Sequence, residues 1–264
     1  MRLISLFSGS SGNCILLEHE GGAFLIDAGL SGARIAGELK SIGRDIRDIK
    51  GILITHEHDD HIKGAGILSR KLSIPLYCNE KTFEAALPKL GKISEKNICI
   101  IEGGKAFELN GVKVSPFKIS HDAADPLGFR FSDGVNSCAV ATDTGVVTEE
   151  ILGALKGCSC AILEANHDVT MLMQGSYPWV LKERILGEKG HLSNESCAAL
   201  CERLISWGME HICLGHLSRE NNTPMIALNT VANYLAQGGM KRGRDYTLQI
   251  AMRDCAADPV GEAE

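Results

Sequence analysis

Five apolar runs in this chain each lead into a histidine or an aspartate, and that recurrence constrains the fold more than any other feature. Ala23-Phe24-Leu25-Ile26 runs into Asp27, and Gly51-Ile52-Leu53-Ile54-Thr55 into His56. Val112–Ile119 leads to His121, Ser137–Thr142 to Asp143, and His211–Leu214 to His216. Short apolar runs bounded by turn residues read as strands. Leu3–Phe7, Cys14–Glu18, Phe129–Phe131, Cys160–Glu164 and Tyr246–Met252 read the same way. Between them lie helical patterns. One is capped by Ser31 and carries Ile35, Leu39 and Ile42 on one face. A second, Glu195–Trp207, carries Ala198, Leu200, Cys201, Leu204 and Ile205. A third opens at Thr223-Pro224, carries Met225, Leu228, Val231 and Leu235, and stops at Gly238-Gly239. Strands in runs with helices between them predict an α/β fold of two packed sheets with helices outside. Chemistry in such folds gathers where strand C-termini share an edge.

The size fits this. A chain of 264 residues, 44% of them apolar, can bury one large core, so a single domain over 1–264 is expected. The net charge of −6 excludes a protein that coats polyanions over its whole surface, and leaves nucleic-acid contact to a local patch. The opening Met1–Phe7 is too short for a signal-peptide core, and no apolar run is long enough to span a membrane. Ten cysteines without a C-x-x-C pair read as reduced thiols, and the expected location is cytoplasmic. The tail after Asp254 is small and acidic, and is expected to fray.

The densest chemistry is His56-Glu57-His58-Asp59-Asp60-His61. Imidazole and carboxylate suit zinc, iron and manganese. In extended or turn backbone His56 and His58 point the same way and can clasp one ion, while Asp60 and His61 follow on a turn and can serve a second. His121, Asp143 and His216, each after an apolar strand, are the candidates for the remaining ligands.

His56-x-His58-x-Asp60-His61 resembles the signature of the metallo-β-lactamase superfamily, and Asp27, His121, Asp143 and His216 follow in the matching order. The resemblance implies an αββα four-layer sandwich, two mixed sheets with helices outside, and a two-metal site at one edge. It implies that His56, His58 and His121 hold the first of two divalent ions (Zn, Mn or Fe), and Asp60, His61 and His216 the second. Asp143 would bridge them, and Asp27 would position the cluster by hydrogen bonds. Phe7–Asn13, Glu164–Asp168, Gly190–Asn194 and His216–Asn222 further resemble the bacterial YycJ/WalJ group, which implies an exonuclease acting on DNA. True β-lactamases of this fold usually carry Cys where Asp143 stands, and often lack a histidine at the position of His61. An aspartate there suits two symmetrically held ions, which clamp the attacking and leaving oxygens of a phosphoryl displacement with a bridging hydroxide as nucleophile.

Further candidates follow from position. Asp60 would orient the nucleophile, and His191 would contact the scissile phosphate or protonate the leaving oxygen. Arg219, Asn221 and Asn222, just past His216, and His167, at a strand end, are candidate substrate contacts. Asn13 closes a Ser/Gly tip, Ser8–Asn13, whose backbone N–H groups could face an anion. The interval from Asp143 to His216 has no room for a full inserted domain. Met171–Trp179 is the candidate lid, with Tyr177 and Trp179 for stacking on bases. Lys182, Arg184 and Lys189, or Lys241, Arg242 and Arg244, could form a basic patch. The expected partner is therefore DNA or another phosphodiester, with no membrane and no cofactor domain. The competing readings are a small-molecule hydrolase of the same fold (thioester, lactone or cyclic phosphate), a non-catalytic metal-stabilised scaffold, and an iron redox protein, which would need a flavin domain.

Overall fold

The structure, a computed structural model, describes residues 1–261. In chain order the first half supplies β1 (Arg2–Phe7), β2 (Cys14–His19), β3 (Gly22–Ile26), α1 (Gly32–Ser41), β4 (Ile49–Leu53), α2 (Asp59–Ile62), α3 (Ala65–Leu72), β5 (Leu76–Cys78), α4 (Glu80–Leu90) and β6 (Ile98–Ile100). The second half supplies β7 (Phe107–Leu109), β8 (Val112–Lys118), β9 (Leu127–Ser132), β10 (Ser137–Ala141), α5 (Glu149–Leu155), β11 (Cys160–Glu164), α6 (Val169–Gln174), α7 (Trp179–Leu186), α8 (Asn194–Ser206), β12 (His211–Gly215), α9 (Pro224–Gln237), β13 (Thr247–Ile250) and β14 (Val260–Gly261).

Over the described residues the strands form two mixed sheets of seven, in the orders β14-β1-β2-β3-β4-β5-β6 and β13-β12-β11-β10-β9-β8-β7. Leu3, Leu17, Phe24 and Ile26 of the first sheet pack against Val114, Phe129, Phe131, Val140 and Ile162 of the second. On the outer face of the first sheet, Leu6, Leu16 and Leu25 meet Ile35 and Leu39 of α1, Leu68 of α3 and Ala86 of α4. On the outer face of the second, Ala161, Leu163 and Ile212 meet α5, α8 and α9. The layering is αββα, as the resemblance implies. It also explains why the central strands lack polar alternation: along β11, Cys160 and Ile162 face the other sheet while Ala161 and Leu163 face the helices, so every position needs an apolar side chain.

Strand direction gathers the chemistry at one edge. β3 and β4 run parallel, as do β10, β11, β12 and β13. β8 and β10 are both antiparallel to β9, so their C-termini lie on one side. Caps match the sequence reading: Ser31 accepts from Arg34 N, and Thr223 from Ile226 N ahead of Pro224. The tail is a correction. Val260 pairs with Leu3 as an edge strand, Ala257 N donates to Ser5 O, and Ala256 N to the Glu38 side chain. Its small residues let it lie flat along β1, so the segment up to Gly261 is held rather than frayed; residues 262–264 lie outside the described residues.

Candidate metal centre

Three turns that leave the strands here adopt left-handed backbone at residues other than glycine: Asp27 at φ 61°, Asp143 at φ 59° and His216 at φ 55°. Such conformations cost about 1–3 kcal/mol each and persist where surrounding structure fixes them. They turn three side chains back across the sheet edge. A further clamp joins the loops. Asn13 N donates to Asp60 O, Gly29 N to Asn13 O, and Ala28 N to His61 O. A Cβ at Gly29 would overlap the Asp60 carbonyl, so glycine is required there.

Three of the histidines, His61, His56 and His121, are aimed by their outward-facing nitrogens. Asp27 Oδ2 accepts from His61 Nδ1 at 2.7 Å and from Thr55 Oγ1 at 2.8 Å, while its Oδ1 accepts from Thr55 N at 2.8 Å. Thr55 Oγ1 in turn accepts from His56 Nδ1 at 2.9 Å. His121 Nδ1 donates to Gly190 O at 3.2 Å. In each case Nε2 is left for the site. One set of donors that converges is His56, His58 and His121; another is Asp60, His61 and His216; His56, His61 and Asp143 form a third. Within each set the ligand atoms lie within 4.8 Å of one another.

The electrostatics suit cations. Burial, reinforced by the neighbouring imidazoles, holds His56 well below its ordinary pKa, so its lone pair is free. Burial alone would depress His61 too, but the carboxylates of Asp27, Asp143 and Asp60 hold it up to about 9. Burial would likewise raise Asp60, but His216 and His61, whose Nε2 atoms stand 3.8 and 3.6 Å from Asp60 Oδ2, keep it well below the usual carboxylate range. Asp143 Oδ2 and His216 Nε2 are buried and make no hydrogen bond among the described residues. Two orphaned ligand atoms in one cluster are costly unless something else satisfies them, and a divalent cation does. The donor set therefore fits metal ions.

Not every predicted residue joins this centre. Glu57 and Asp59, in the same hexapeptide, face outward: Glu57 accepts from Ala124 N, and Asp59 pairs with Lys89 at 2.7 Å. Asn13 sits against the centre, with Nδ2 3.0 Å from His61 Nε2 and 3.3 Å from Asp60 Oδ2. Three N–H groups of the Ser8–Asn13 tip are taken by the protein, Gly9 N by Asn13 Oδ1, Gly12 N by Gly9 O and Asn13 N by Asp60 O. His167 is buried, with both ring nitrogens unpartnered among the described residues, and burial pushes its pKa down to about 4. It does not line the cleft. Asn222 is a buried structural clamp, its Nδ2 donating to Ala165 O, Asn166 O and Asn194 Oδ1. Asn221 is also buried, its carbonyl accepting from Asp168 N. Both asparagines fasten the loop after His216 to the strand ends, a task that polar residues at a turn perform as readily as substrate contact. Arg219 borders a neighbouring cavity instead.

His191 does line the cleft, an opening of about 300 Å³ bordered by His58, Asp60, His121, Asp143, His216 and Tyr177. Its ring packs 5.0 Å from that of His121 and 5.2 Å from that of His216. Of the candidate lid, Tyr177 reaches the cleft, whereas Trp179 is 58% exposed. Of the candidate basic patches, Lys182 is buried on Met173 O and Gly175 O, Arg184 pairs with Asp122 at the rim of the cleft, and Arg244 pairs with Asp245.

Glu164 is the residue the sequence reading passed over. It is fully buried at the end of β11. Oε1 accepts from both His191 Nδ1 and His216 Nδ1 at 2.8 Å, and Oε2 from Thr144 N at 2.9 Å and Leu192 N at 3.2 Å. Burial would raise its pKa, but the charge and hydrogen bonds of the two histidines keep it well below the usual range. Its signal was available: an acid closing an otherwise apolar, doubly covered strand.

Known proteins fit this geometry. The family described as Beta-lactamase superfamily domain matches residues 23–217. The exodeoxyribonuclease WalJ of Streptococcus pneumoniae is 43% identical over 95% of this chain and 94% of its own length. The exodeoxyribonuclease YycJ of Bacillus anthracis is 39% identical over 92% of each. Among solved structures, the metallo-β-lactamase fold protein YhfI of Bacillus subtilis superposes with a TM-score of 0.71 over 98% of this chain and all of that one, at 12% identity. The chain belongs to the metallo-β-lactamase superfamily of metal-dependent hydrolases, in the WalJ/YycJ group.

Proposed function

We propose that this chain is a two-metal phosphodiesterase that removes nucleotides from DNA, working as one domain over 1–264. The observation that carries the reading is the meeting of two sets of three ligands, with Asp143 between them and its Oδ2 unpartnered among the described residues. His56, His58 and His121 would hold one ion, Asp60, His61 and His216 the other, and Asp143 both. Zn, Mn and Fe all suit this donor set. Divalent ions bound there would supply Lewis acidity toward a phosphoryl oxygen and lower the pKa of water. The remaining work falls to the chain. Asp60, kept ionised, orients the attacking water. His191 is fixed through Nδ1 by Glu164, which leaves Nε2 to deliver a proton to the leaving oxygen, with the buried carboxylate supporting the imidazolium. The names of the two bacterial relatives support DNA as the substrate. Ten free thiols support a reducing, cytoplasmic setting.

A small-molecule hydrolase is the competing reading, and the net charge of −6 together with a cleft of about 300 Å³ favours it. The deciding assay uses metal-stripped protein reloaded with Mn or Zn, offered end-labelled duplex DNA, a simple phosphodiester and a thioester in parallel. Stepwise release of nucleotides is expected. Thioester turnover with intact DNA would replace the nuclease reading with the alternative.

A further inference from the structure

The loop that leaves the metal centre separates two cavities. One is the cleft already described. The other, also about 300 Å³, lies on the far side of Leu217-Ser218-Arg219 and is closed by Ile250, Met252 and Arg253 after β13. Ser218 borders both, and the Ser8–Ser10 tip reaches both, Ser8 on this side and Ser10 on the other. The two are distinct cavities that meet at Ser218.

The second cavity differs from the cleft in charge. It is lined by two arginines and no carboxylate. Arg219 is exposed and makes no hydrogen bond or ion pair among the described residues. Arg253 makes one, from Nη2 to Leu217 O at 2.7 Å, and pairs with no acid there. Elsewhere Arg34, Arg47, Arg184 and Arg244 are each paired with an aspartate, while Arg70, Arg130 and Arg242 are spent on backbone carbonyls, in a chain that is acidic overall. Two uncompensated guanidiniums beside an apolar floor of Leu217, Ile250 and Met252 match a phosphate joined to a sugar and base. Arg219 lies three positions after His216, a backbone reach of at most about 10 Å. That reach is enough to meet a phosphate adjacent to the scissile one on the same strand.

We infer that this second cavity is a subsite for the nucleotides that flank the scissile phosphodiester, with Arg219 holding a non-bridging phosphate oxygen pair and Arg253 completing the clamp. The inference rests on the nuclease reading for the identity of the strand, but its test does not depend on cleavage. Labelled single-stranded DNA of about eight nucleotides, made with phosphorothioate linkages that resist hydrolysis, is titrated onto the metal-loaded protein by fluorescence anisotropy over a range of salt. Arg219→Ala is expected to weaken binding about tenfold and to reduce the salt slope by about one. Lys113→Ala removes the same charge at the end of β8 remote from His121 and is expected to leave both unchanged. Arg219 bears on no other residue, so its loss leaves folding intact. Equal affinity and slope for Arg219→Ala and the parent would overturn the subsite, as would an equal effect of Lys113→Ala. Arg219-dependent binding by a protein that hydrolyses no DNA would keep the subsite and remove the nuclease reading. Absence of binding by the parent would remove both.

Discussion

Glutamine at position 164 is the most informative single change, because it keeps the volume of the side chain and removes only its capacity to accept on both oxygens. Glu164 takes four hydrogen bonds, two from backbone N–H groups and two from imidazole Nδ1 atoms. An amide has one acceptor oxygen. If that oxygen keeps Thr144 and Leu192, the NH₂ group faces the two histidines; if it keeps the histidines, the NH₂ group faces the two backbone donors. Either way two charge-assisted bonds are replaced by opposed donors. Each is worth about 1.5–3 kcal/mol, so the folded state should lose about 3–5 kcal/mol. If about 3 kcal/mol of that is felt as loss of aim at His191 and His216, turnover falls about a hundredfold. The assays are release of nucleotides from end-labelled DNA and urea unfolding, run beside a metal determination. A hundredfold drop in kcat with an earlier unfolding midpoint is expected. Turnover within threefold of the parent and an unchanged midpoint would refute the role given to this carboxylate.

Three other outcomes follow from the same geometry. His191→Ala should lower turnover about a hundredfold while leaving metal content unchanged, and unchanged turnover at full metal content would remove its proton-donor role. His167, pushed down to about 4 by burial, stays neutral in the fold while the unfolded chain takes up a proton near pH 6.5. Stability is therefore whole above pH 6.5 and lost as pH falls toward 4, so the gap between parent and His167→Leu in urea unfolding should move by about 2 kcal/mol in favour of leucine between pH 7 and pH 5; a gap that does not move contradicts the burial argument. Lys182→Met removes the two bonds from Nζ, at 2.7 Å to Met173 O and 2.8 Å to Gly175 O, that tie the segment carrying Tyr177. Faster limited proteolysis within 171–178 and a raised KM for DNA are expected, and an unchanged cleavage pattern would show that the segment is held otherwise.

The layers were legible because burial on both faces leaves a strong mark: the buried stretches Gly51–Leu53, Cys138–Ala141, Cys160–Leu163 and Ile212–Leu214 carry no charged side chain, and each leads to an acid or imidazole at the edge. The ligand-type residues were legible because packed imidazoles and carboxylates have no cheap structural use. What sequence could not separate was the tasks of polar residues within one loop. His216, Arg219, Asn221 and Asn222 lie within seven positions, yet the first enters the centre, the second a separate cavity, and the last two brace the backbone. Only the turn at His216, with its positive φ, decides which side chain faces where. Glu164 was missed for a related reason. Its partners stand 20, 27, 28 and 52 positions away, at Thr144, His191, Leu192 and His216, and no local pattern joins them. The short strands β5, β6 and β7 span three residues each, too few for periodicity to register.

The central claim is that two ions, held by seven side chains with Asp143 between them, act together on a phosphodiester. The most direct measurement titrates metal into stripped protein and follows bound metal and DNA hydrolysis in the same samples, for the parent chain and for Asp143→Ala. Activity that rises fully only at two equivalents per chain, with loss of the second equivalent and of hydrolysis in Asp143→Ala, is the expected result. Full hydrolysis at one equivalent or fewer, or in Asp143→Ala, would contradict it.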